Sequence, residues 1–139
     1  MSMSTIAVKV GDITKRKMVT IEADRPVIEA AKLMAEHDIG SVVVTREGKP
    51  IGIITERDVI SRCIARGKDL NTTAVGAVMS CPLITVDADA SLFIATRKMV
   101  ENNIRRLLVT EKGEIIGIFT QKDLLSKLME VFLALASIP

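Results

Sequence analysis

The sequence contains an internal repeat that spans most of its length. Residues 10–64 align with residues 75–129 at a constant offset of 65 positions, without a gap and with roughly a third of the pairs identical. The matched pairs include Gly11/Gly76, Thr20/Thr85, Asp24/Asp89, Gly52/Gly117, Thr55/Thr120 and Asp58/Asp123. A unit of about 55 residues is near the size at which a single core is marginal, so we expect the two copies to bury apolar surface together.

Within each copy the hydrophobic period changes in the same order, which predicts a β-α-β-β-α unit in an α/β (α+β) fold. The predicted elements of the first copy are a strand, a helix after Pro26, a hairpin and a second helix, at residues 19–21, 27–37, 39–44 with 50–54, and 56–66. Those of the second copy are residues 84–86, 92–102, 104–110, 114–119 and 122 onward. Thr55 is the predicted N-cap of its helix, and Gly67 the predicted end.

The repeat also predicts the domain organisation of the chain. We expect a single module at residues 1–139, with motif 1 at about 8–67, a solvated linker at 68–73 and motif 2 at about 74–129. Residues 130–139 continue the last helix as an apolar tail that has no counterpart in the first copy. That tail either packs on the module's own helices or forms a homodimer seam, and we expect the homodimer.

Composition argues against several classes of function. The formal net charge is +2 and the chain has no Trp or Tyr, which disfavours nucleic-acid binding. Cys63, Cys81 and the single histidine, His37, do not have metal-ligand spacing, so we expect no metal and two reduced thiols. We find no nucleophile with a positioned base and no Walker-type P-loop, and expect no catalysis. No apolar run approaches a membrane span, and we expect a cytoplasmic protein.

Two short segments have the chemistry of a nucleotide site. The sequence Gly52-Ile-Ile-Thr55-Glu-Arg-Asp58 recurs as Gly117-Ile-Phe-Thr120-Gln-Lys-Asp123, each at a strand-to-helix junction. Glycine would let a ligand approach the backbone, the threonine hydroxyl and first-turn amides would face a phosphate, and the aspartate would accept from the vicinal hydroxyls of a ribose. The alternative is structural: the threonines are ordinary N-caps, and the aspartates favour the positive end of the helix dipole.

With these segments, the hairpins before them and the stretch Val-Met-Ser-Cys-Pro-Leu-Ile-Thr-Val at residues 78–86, the chain resembles the CBS (cystathionine β-synthase) motif-pair family over about residues 8–129. The resemblance implies two three-stranded sheets packed about a pseudo-two-fold axis into one module. It also implies two clefts that hold AMP, ADP, ATP or S-adenosylmethionine as a regulatory ligand, with no obligatory cofactor.

The resemblance further implies a role for particular residues. Asp58 and Asp123 would hold ribose hydroxyls, while Thr55 and Thr120 would lie near the phosphates or an equivalent tail. The residues expected to border the base are Lys17, Met18, Val19, Thr20, Ile39, Gly40 and Ser41, with Pro82, Leu83, Ile84, Thr85 and Ile104. From their charge rather than from the resemblance, Arg57, Lys122, Arg105 and Arg106 are further candidates for phosphate contacts. Arg57 and Lys122 could instead be solvated, and at least one of Arg105 and Arg106, which point to opposite faces of a strand, could be a solvated or interface residue. Because Gly40 and Ser41 align with Arg105 and Arg106, we expect the clefts to differ.

The leading interpretation is a module that senses an adenosine ligand and signals by a conformational change to a protein target that the sequence does not identify. Two alternatives remain open. One is a structural or interaction module with vestigial clefts, and the other is an accessory protein associated with nucleic acid.

Overall fold

The computed structural model describes residues 8–14 and 16–138; residues 1–7 and Pro139, at the ends of the expected module, lie outside the described part, as does Lys15. In chain order the elements are α1 (Val10–Ile13), β1 (Thr20–Glu22), α2 (Val27–His37), β2 (Ser41–Arg46), β3 (Lys49–Thr55), α3 (Glu56–Asp58) continued by a π-helix (Val59–Cys63) and a 3-10 turn (Ile64–Arg66), α4 (Val75–Val78), β4 (Thr85–Asp87), α5 (Leu92–Glu101), β5 (Arg106–Glu111), β6 (Glu114–Thr120) and α6 (Gln121–Ala136). The predicted β-α-β-β-α order is confirmed in both copies.

Each copy forms a three-stranded sheet of the same topology. The orders are β1-β2-β3 and β4-β5-β6, with the first two strands of each sheet parallel and the last two antiparallel. Both hairpin turns place two successive residues in the left-handed region: Glu47 and Gly48 at φ 53° and 78°, and Lys112 and Gly113 at φ 51° and 80°. Such turns match the twist of the flanking strands, which explains the glycine at this point of each copy.

The chain divides into two compact units whose boundaries differ from those of the sequence repeat. One unit is Met18–Leu83, and the other combines Ile84–Pro139 with Met1–Lys17. Each unit has its own apolar core, in which the main helix packs on the sheet through residues such as Ala30 and Met34 in the first unit and Ala95 and Met99 in the second. The short helix at the start of each sequence copy therefore belongs to the core of the other copy.

Helix α4 shows how this exchange is held together. Val75 and Val78 are buried in the core of the Met18–Leu83 unit. The amide of Val75 donates to the carbonyl of Arg25 and that of Gly76 to the carbonyl of Ala23, both at 2.8 Å. A Cβ on Gly76 would lie 3.2 Å from the Cβ of Ala23, so glycine allows this close approach.

Helix α1 makes the equivalent contacts in the other unit. Val10 is buried in its core, and the amides of Val10 and Gly11 donate to the carbonyls of Ala90 and Ala88 at 2.9 and 2.8 Å. Val10 and Gly11 thus make the same contacts as Val75 and Gly76. In both cases these contacts lie in the unit that contains the sheet of the other copy.

The predicted linker at residues 68–73 is packed more closely than a solvated connection. Lys68, Asp69 and Asn71 are exposed as expected, but Leu70 packs against the core and its carbonyl accepts from the amide of Ile28 at 3.0 Å. The amide of Val27 likewise donates to the carbonyl of Thr73 at 2.9 Å. The linker therefore anchors the start of α2.

The predicted continuation of the last helix into the tail is present, because α6 runs unbroken to Ala136. No residue of α6 is buried. Its large exposed apolar residues are Leu125, Leu128, Met129, Val131, Phe132, Leu133 and Leu135.

Candidate functional site

The topology of each sheet brings the predicted site segments to one edge. In the first sheet, parallel β1 and β2 both begin at the edge where antiparallel β3 ends. We call this the Asp58 edge; it carries Val19, Gly40, Ser41 and Thr55. The same argument places Ile84, Arg105, Arg106 and Thr120 together at the Asp123 edge of the second sheet.

Backbone hydrogen bonds fix the segments at the Asp58 edge. The carbonyl of Val19 accepts from the amide of Val43 at 3.0 Å, and the carbonyl of Gly40 accepts from the amide of Glu56 at 3.1 Å. Ser41 pairs with Thr55 across the hairpin. Met18, Val19, Ile39, Gly40 and Ser41 are half-buried, whereas Thr20 is exposed.

The Asp123 edge repeats this pattern with different side chains. The carbonyl of Ile84 accepts from the amide of Leu108 at 3.1 Å, and that of Arg105 accepts from the amide of Gln121 at 2.8 Å. Arg106 pairs with Thr120. Ile84, Thr85, Ile104 and Arg106 are half-buried, and Arg105 is exposed. The two guanidinium groups therefore belong to an edge where the first copy has glycine and serine.

Both Thr-x-x-Asp segments form capping boxes, in which the threonines are the N-caps that the structural interpretation expects. The amide of Asp58 donates to Thr55 Oγ at 3.1 Å, while the amide of Thr55 donates to Asp58 Oδ2 at 3.0 Å. At Thr120 and Asp123 the same two distances are 3.2 and 2.9 Å. Each pair satisfies two amides that the first helical turn leaves without intrahelical partners. The N-cap interpretation is confirmed, and the role of these residues in ligand binding stays a prediction.

Asp58 has a partner that the sequence did not indicate. Ser80 Oγ donates to Asp58 Oδ1 and Oδ2 at 3.0 and 3.1 Å, and Arg62 Nε lies 3.7 Å from Oδ1. Asp58 is 5% exposed, whereas Asp123 is half-buried. Ser80 and Asp58 are separated by 22 positions, so no local spacing connects them. The sequence held one indication of a special role for Ser80: this position differs between the two copies, because Ser80 aligns with Lys15.

Gly52 has a role different from the one expected of it. A Cβ at this position would lie 2.6 Å from Met79 Sδ and 2.9 Å from the carbonyl oxygen of Ser80. The expectation that Gly52 lets a ligand approach the backbone is therefore wrong on this side of the residue, because the chain itself occupies the space. Gly52 is required so that the Met79–Ser80 segment can pack against β3.

The remaining predicted residues fall into two groups. Arg57 and Lys122 are exposed on the first turns of their helices. Lys17 was expected to lead into β1, and Pro82 and Leu83 into β4. Lys17 belongs to the unit that does not contain β1, and Pro82 and Leu83 belong to the unit that does not contain β4. Of these three, Lys17 and Pro82 are exposed and Leu83 is half-buried.

Within residues 8–14 and 16–138, no three His, Cys, Asp or Glu side chains are placed to hold a metal ion. No helix in that part of the chain has the length and apolar character to span a bilayer. A groove of about 450 Å³ lies at the edge of the first sheet opposite the Asp58 edge and includes no predicted site residue. Its lining residues are Glu22, Ala23, Asp24, Arg46, Glu47, Ala74, Gly76 and Ala77.

Comparison with known proteins gives the same division of the chain as the internal repeat. The family model of the CBS domain matches twice, at residues 10–65 and 75–130. An uncharacterized protein of Methanopyrus kandleri is 40% identical over 121 residues, which are 86% of this chain and 62% of that protein. The chain thus spans less than two thirds of that relative's length.

Solved structures share the fold over nearly the whole chain. A protein with CBS domains from Burkholderia ambifaria superposes with a TM-score of 0.85 at 28% identity, covering 88% of this chain and 95% of that one. A hexameric CBS-CP12 protein from bloom-forming cyanobacteria gives a TM-score of 0.79 at 29% identity, covering 87% of this chain and 72% of that one. With two family matches and the sheet topology in agreement, the chain belongs to the CBS domain family and carries a tandem pair of these domains.

Proposed function

We propose that the chain is a non-catalytic regulatory module that binds an adenosine-containing ligand, namely AMP, ADP, ATP or S-adenosylmethionine, at the Asp123 edge. The observation that carries the proposal is the convergence of a strand-entry backbone, two arginines and a Thr-x-x-Asp helix start at one edge of the second sheet. These groups supply the three kinds of contact that a nucleotide needs.

Each part of the ligand has a counterpart among these residues. The Asp123 carboxylate is half-buried and would accept from the ribose hydroxyls. The guanidinium groups of Arg105 and Arg106 would pair with phosphate oxygens, together with Thr120 at the N-terminus of the 16-residue helix α6. The half-buried aliphatic side chains of Ile84 and Ile104 would border the purine, as expected in a chain without Trp or Tyr.

Binding would become a signal through a difference in affinity between two conformations. A ligand shifts a conformational equilibrium only as far as it binds one state more tightly than the other. We propose that the conformation favoured by the adenosine ligand is read by a protein target.

We also propose that the chain forms a homodimer through α6. The apolar residues of this helix include Leu128 and Phe132, which are 53% and 70% exposed. An exposed apolar surface of this kind marks an association site in soluble proteins. The hexameric relative supports self-association of chains with this fold.

The experiment that tests ligand binding is isothermal titration calorimetry with AMP, ADP, ATP and S-adenosylmethionine on the wild type and on Asp123→Asn. A hydrogen bond to a charged group contributes about 1.5 to 3 kcal/mol, so Asp123→Asn should weaken binding by roughly tenfold to a hundredfold. The control is Asp38→Asn, since Asp38 is exposed at the C-terminus of α2 in a left-handed conformation that asparagine also adopts. Equal affinities for the wild type and Asp123→Asn would contradict the proposed site, and no binding of any of the four compounds would favour an interaction module without a ligand.

A further inference from the structure

The ammonium group of Lys98 lies against the main chain of β4. Lys98 is a half-buried residue in the last turn of α5, and its Nζ donates to the carbonyl oxygen of Thr85 at 2.6 Å. In the part of the chain that the structure describes, no carboxylate forms an ion pair with Lys98. An ammonium group carries several N–H donors and no acceptor, so donors remain for a further partner.

The carbonyl that Lys98 contacts is on the outer side of the second sheet. β4 is an edge strand, and the carbonyl of Ile84 accepts from the amide of Leu108 in β5 at 3.1 Å. Successive residues of a strand direct their backbone groups to opposite sides. The carbonyl of Thr85 therefore points away from β5, and Lys98 reaches it from the last turn of α5.

The last turn of α5 is tied to both segments that would border the purine at the Asp123 edge. Lys98 holds Thr85, which follows Ile84, and the carbonyl of Met99 accepts from the amide of Ile104 at 3.0 Å. Ile84 and Ile104 are the residues proposed to border the base. The ammonium group of Lys98 therefore lies at the base end of the proposed site.

The first copy shows that the fold does not require a lysine here. Lys98 aligns with Leu33, which packs against the core of the first unit. A leucine thus fills the same position of the main helix in the other copy. The ammonium group and its bond to Thr85 are a feature of the second copy, and α5 does not need them in order to pack on its sheet.

A group that only donates hydrogen bonds does not treat the two purines alike. Guanine presents two neighbouring acceptors, N7 and O6, whereas adenine presents the acceptor N7 beside the donor N6–H₂. An ammonium group can donate to both of these guanine atoms, but of the adenine pair it can bond only to N7. Lysine is accordingly one of the residues that recognise guanine by this edge in nucleic acids.

We infer that Lys98 reads the base of the ligand at the Asp123 edge, so that this edge binds guanine nucleotides at least as tightly as adenine nucleotides. The inference rests on the proposed function and adds a residue that sets base preference. It also extends the expected ligands to nucleotides of a 6-oxopurine.

The test is isothermal titration calorimetry with AMP, GMP, ATP and GTP on the wild type and on Lys98→Leu, which introduces the residue of the first copy. We expect the wild type to bind GMP at least as tightly as AMP, and Lys98→Leu to lower the ratio of GMP to AMP affinity by roughly fivefold to a hundredfold. Lys98→Arg should keep the wild-type ratio, because a guanidinium donates to the same two guanine atoms. The control for the lost charge is Lys32→Leu, at an exposed position of α2 in the other unit.

The ratio separates base reading from a structural role or a phosphate contact of Lys98, since either of those would weaken AMP and GMP equally. An unchanged ratio in Lys98→Leu, or a wild type that binds AMP and rejects GMP, would overturn the inference and leave the proposed function intact. Asp123→Asn should weaken both nucleotides by the same factor, as expected if both bind at the Asp123 edge. If none of the four nucleotides binds the wild type, the inference fails and the proposed function retains only S-adenosylmethionine.

Discussion

At the scale of single residues, the two Thr-x-x-Asp segments show which contacts can be predicted from a sequence. Their capping boxes join residues three positions apart, and this local spacing was enough to predict the threonine N-caps, although not the bond that each aspartate returns to the N-cap amide. The contact between Ser80 and Asp58 joins residues 22 positions apart and depends on the path of the chain after α4. Spacing rules do not reach that far, and Ser80 was therefore missing from the predicted site.

The same limit applied to Gly52, whose predicted role was to admit a ligand. We expect Gly52→Ala to lower the free energy of unfolding by about 1 to 3 kcal/mol, because the new methyl group would overlap Met79 and the Ser80 backbone. Urea denaturation followed by far-ultraviolet circular dichroism measures this change. A loss below about 0.5 kcal/mol, the range of an ordinary surface substitution, would show that the Met79–Ser80 segment is not packed against β3 as described.

At the scale of elements, the sequence predicted the order and type of the main helices and strands. It did not predict which apolar core contains each of the short helices. Hydrophobic period and turn glycines located both hairpins and all four main helices, because these signals are local. The short helices α1 and α4 carry no signal that says which sheet they pack on. The repeat assigned α4 to the second copy, whereas its valines are buried in the core of the first. The π-helical stretch at Val59–Cys63 was also not predicted, since its residues fit an ordinary helix pattern.

The placement of α4 predicts which unit is destabilised by a substitution in this helix. Val75 is 0% exposed, so Val75→Ala should lower the free energy of unfolding by about 2 kcal/mol through lost burial and the cavity left behind. Hydrogen–deuterium exchange should rise mainly in residues 18–83, the unit that contains this core. The control is Val100→Ala, at a position that is 74% exposed, which should change stability little. Faster exchange confined to residues 84–138 after Val75→Ala would contradict the assignment of α4.

At the scale of the whole molecule, the repeat predicted two copies, and the resemblance carried by the Thr-x-x-Asp segments, the hairpins and residues 78–86 indicated the CBS family. The family matches cover almost the same residues as the repeat. What the repeat could not predict is how far the copies have diverged in function. Arg105 and Arg106 align with Gly40 and Ser41, and Ser80 aligns with Lys15. The functional effect of such differences can be interpreted only when the neighbours of each side chain are known.

Self-association belongs to this scale as well. We expect the wild type to be a dimer in analytical ultracentrifugation and Leu128→Glu with Phe132→Glu to be a monomer, because two carboxylates from each chain would have to be buried at an α6 interface. The control for the added negative charge is Lys112→Glu, an exposed turn residue whose aligned partner, Glu47, has nearly the same φ, 53° against 51°. A dimer that survives the double substitution on α6 would place the interface elsewhere.

The most direct test of ligand binding at the Asp123 edge is an NMR titration of isoleucine methyl groups with AMP, ATP and S-adenosylmethionine. The account predicts that the signals of Ile84 and Ile104 shift in a saturable manner, while that of Ile21, which is buried in the core of the other unit, stays nearly unchanged. Inorganic phosphate should not reproduce the shifts, because it lacks the purine that these side chains would border. Saturable shifts that leave Ile84 and Ile104 unaffected, or the absence of any shift with all three ligands, would contradict the account.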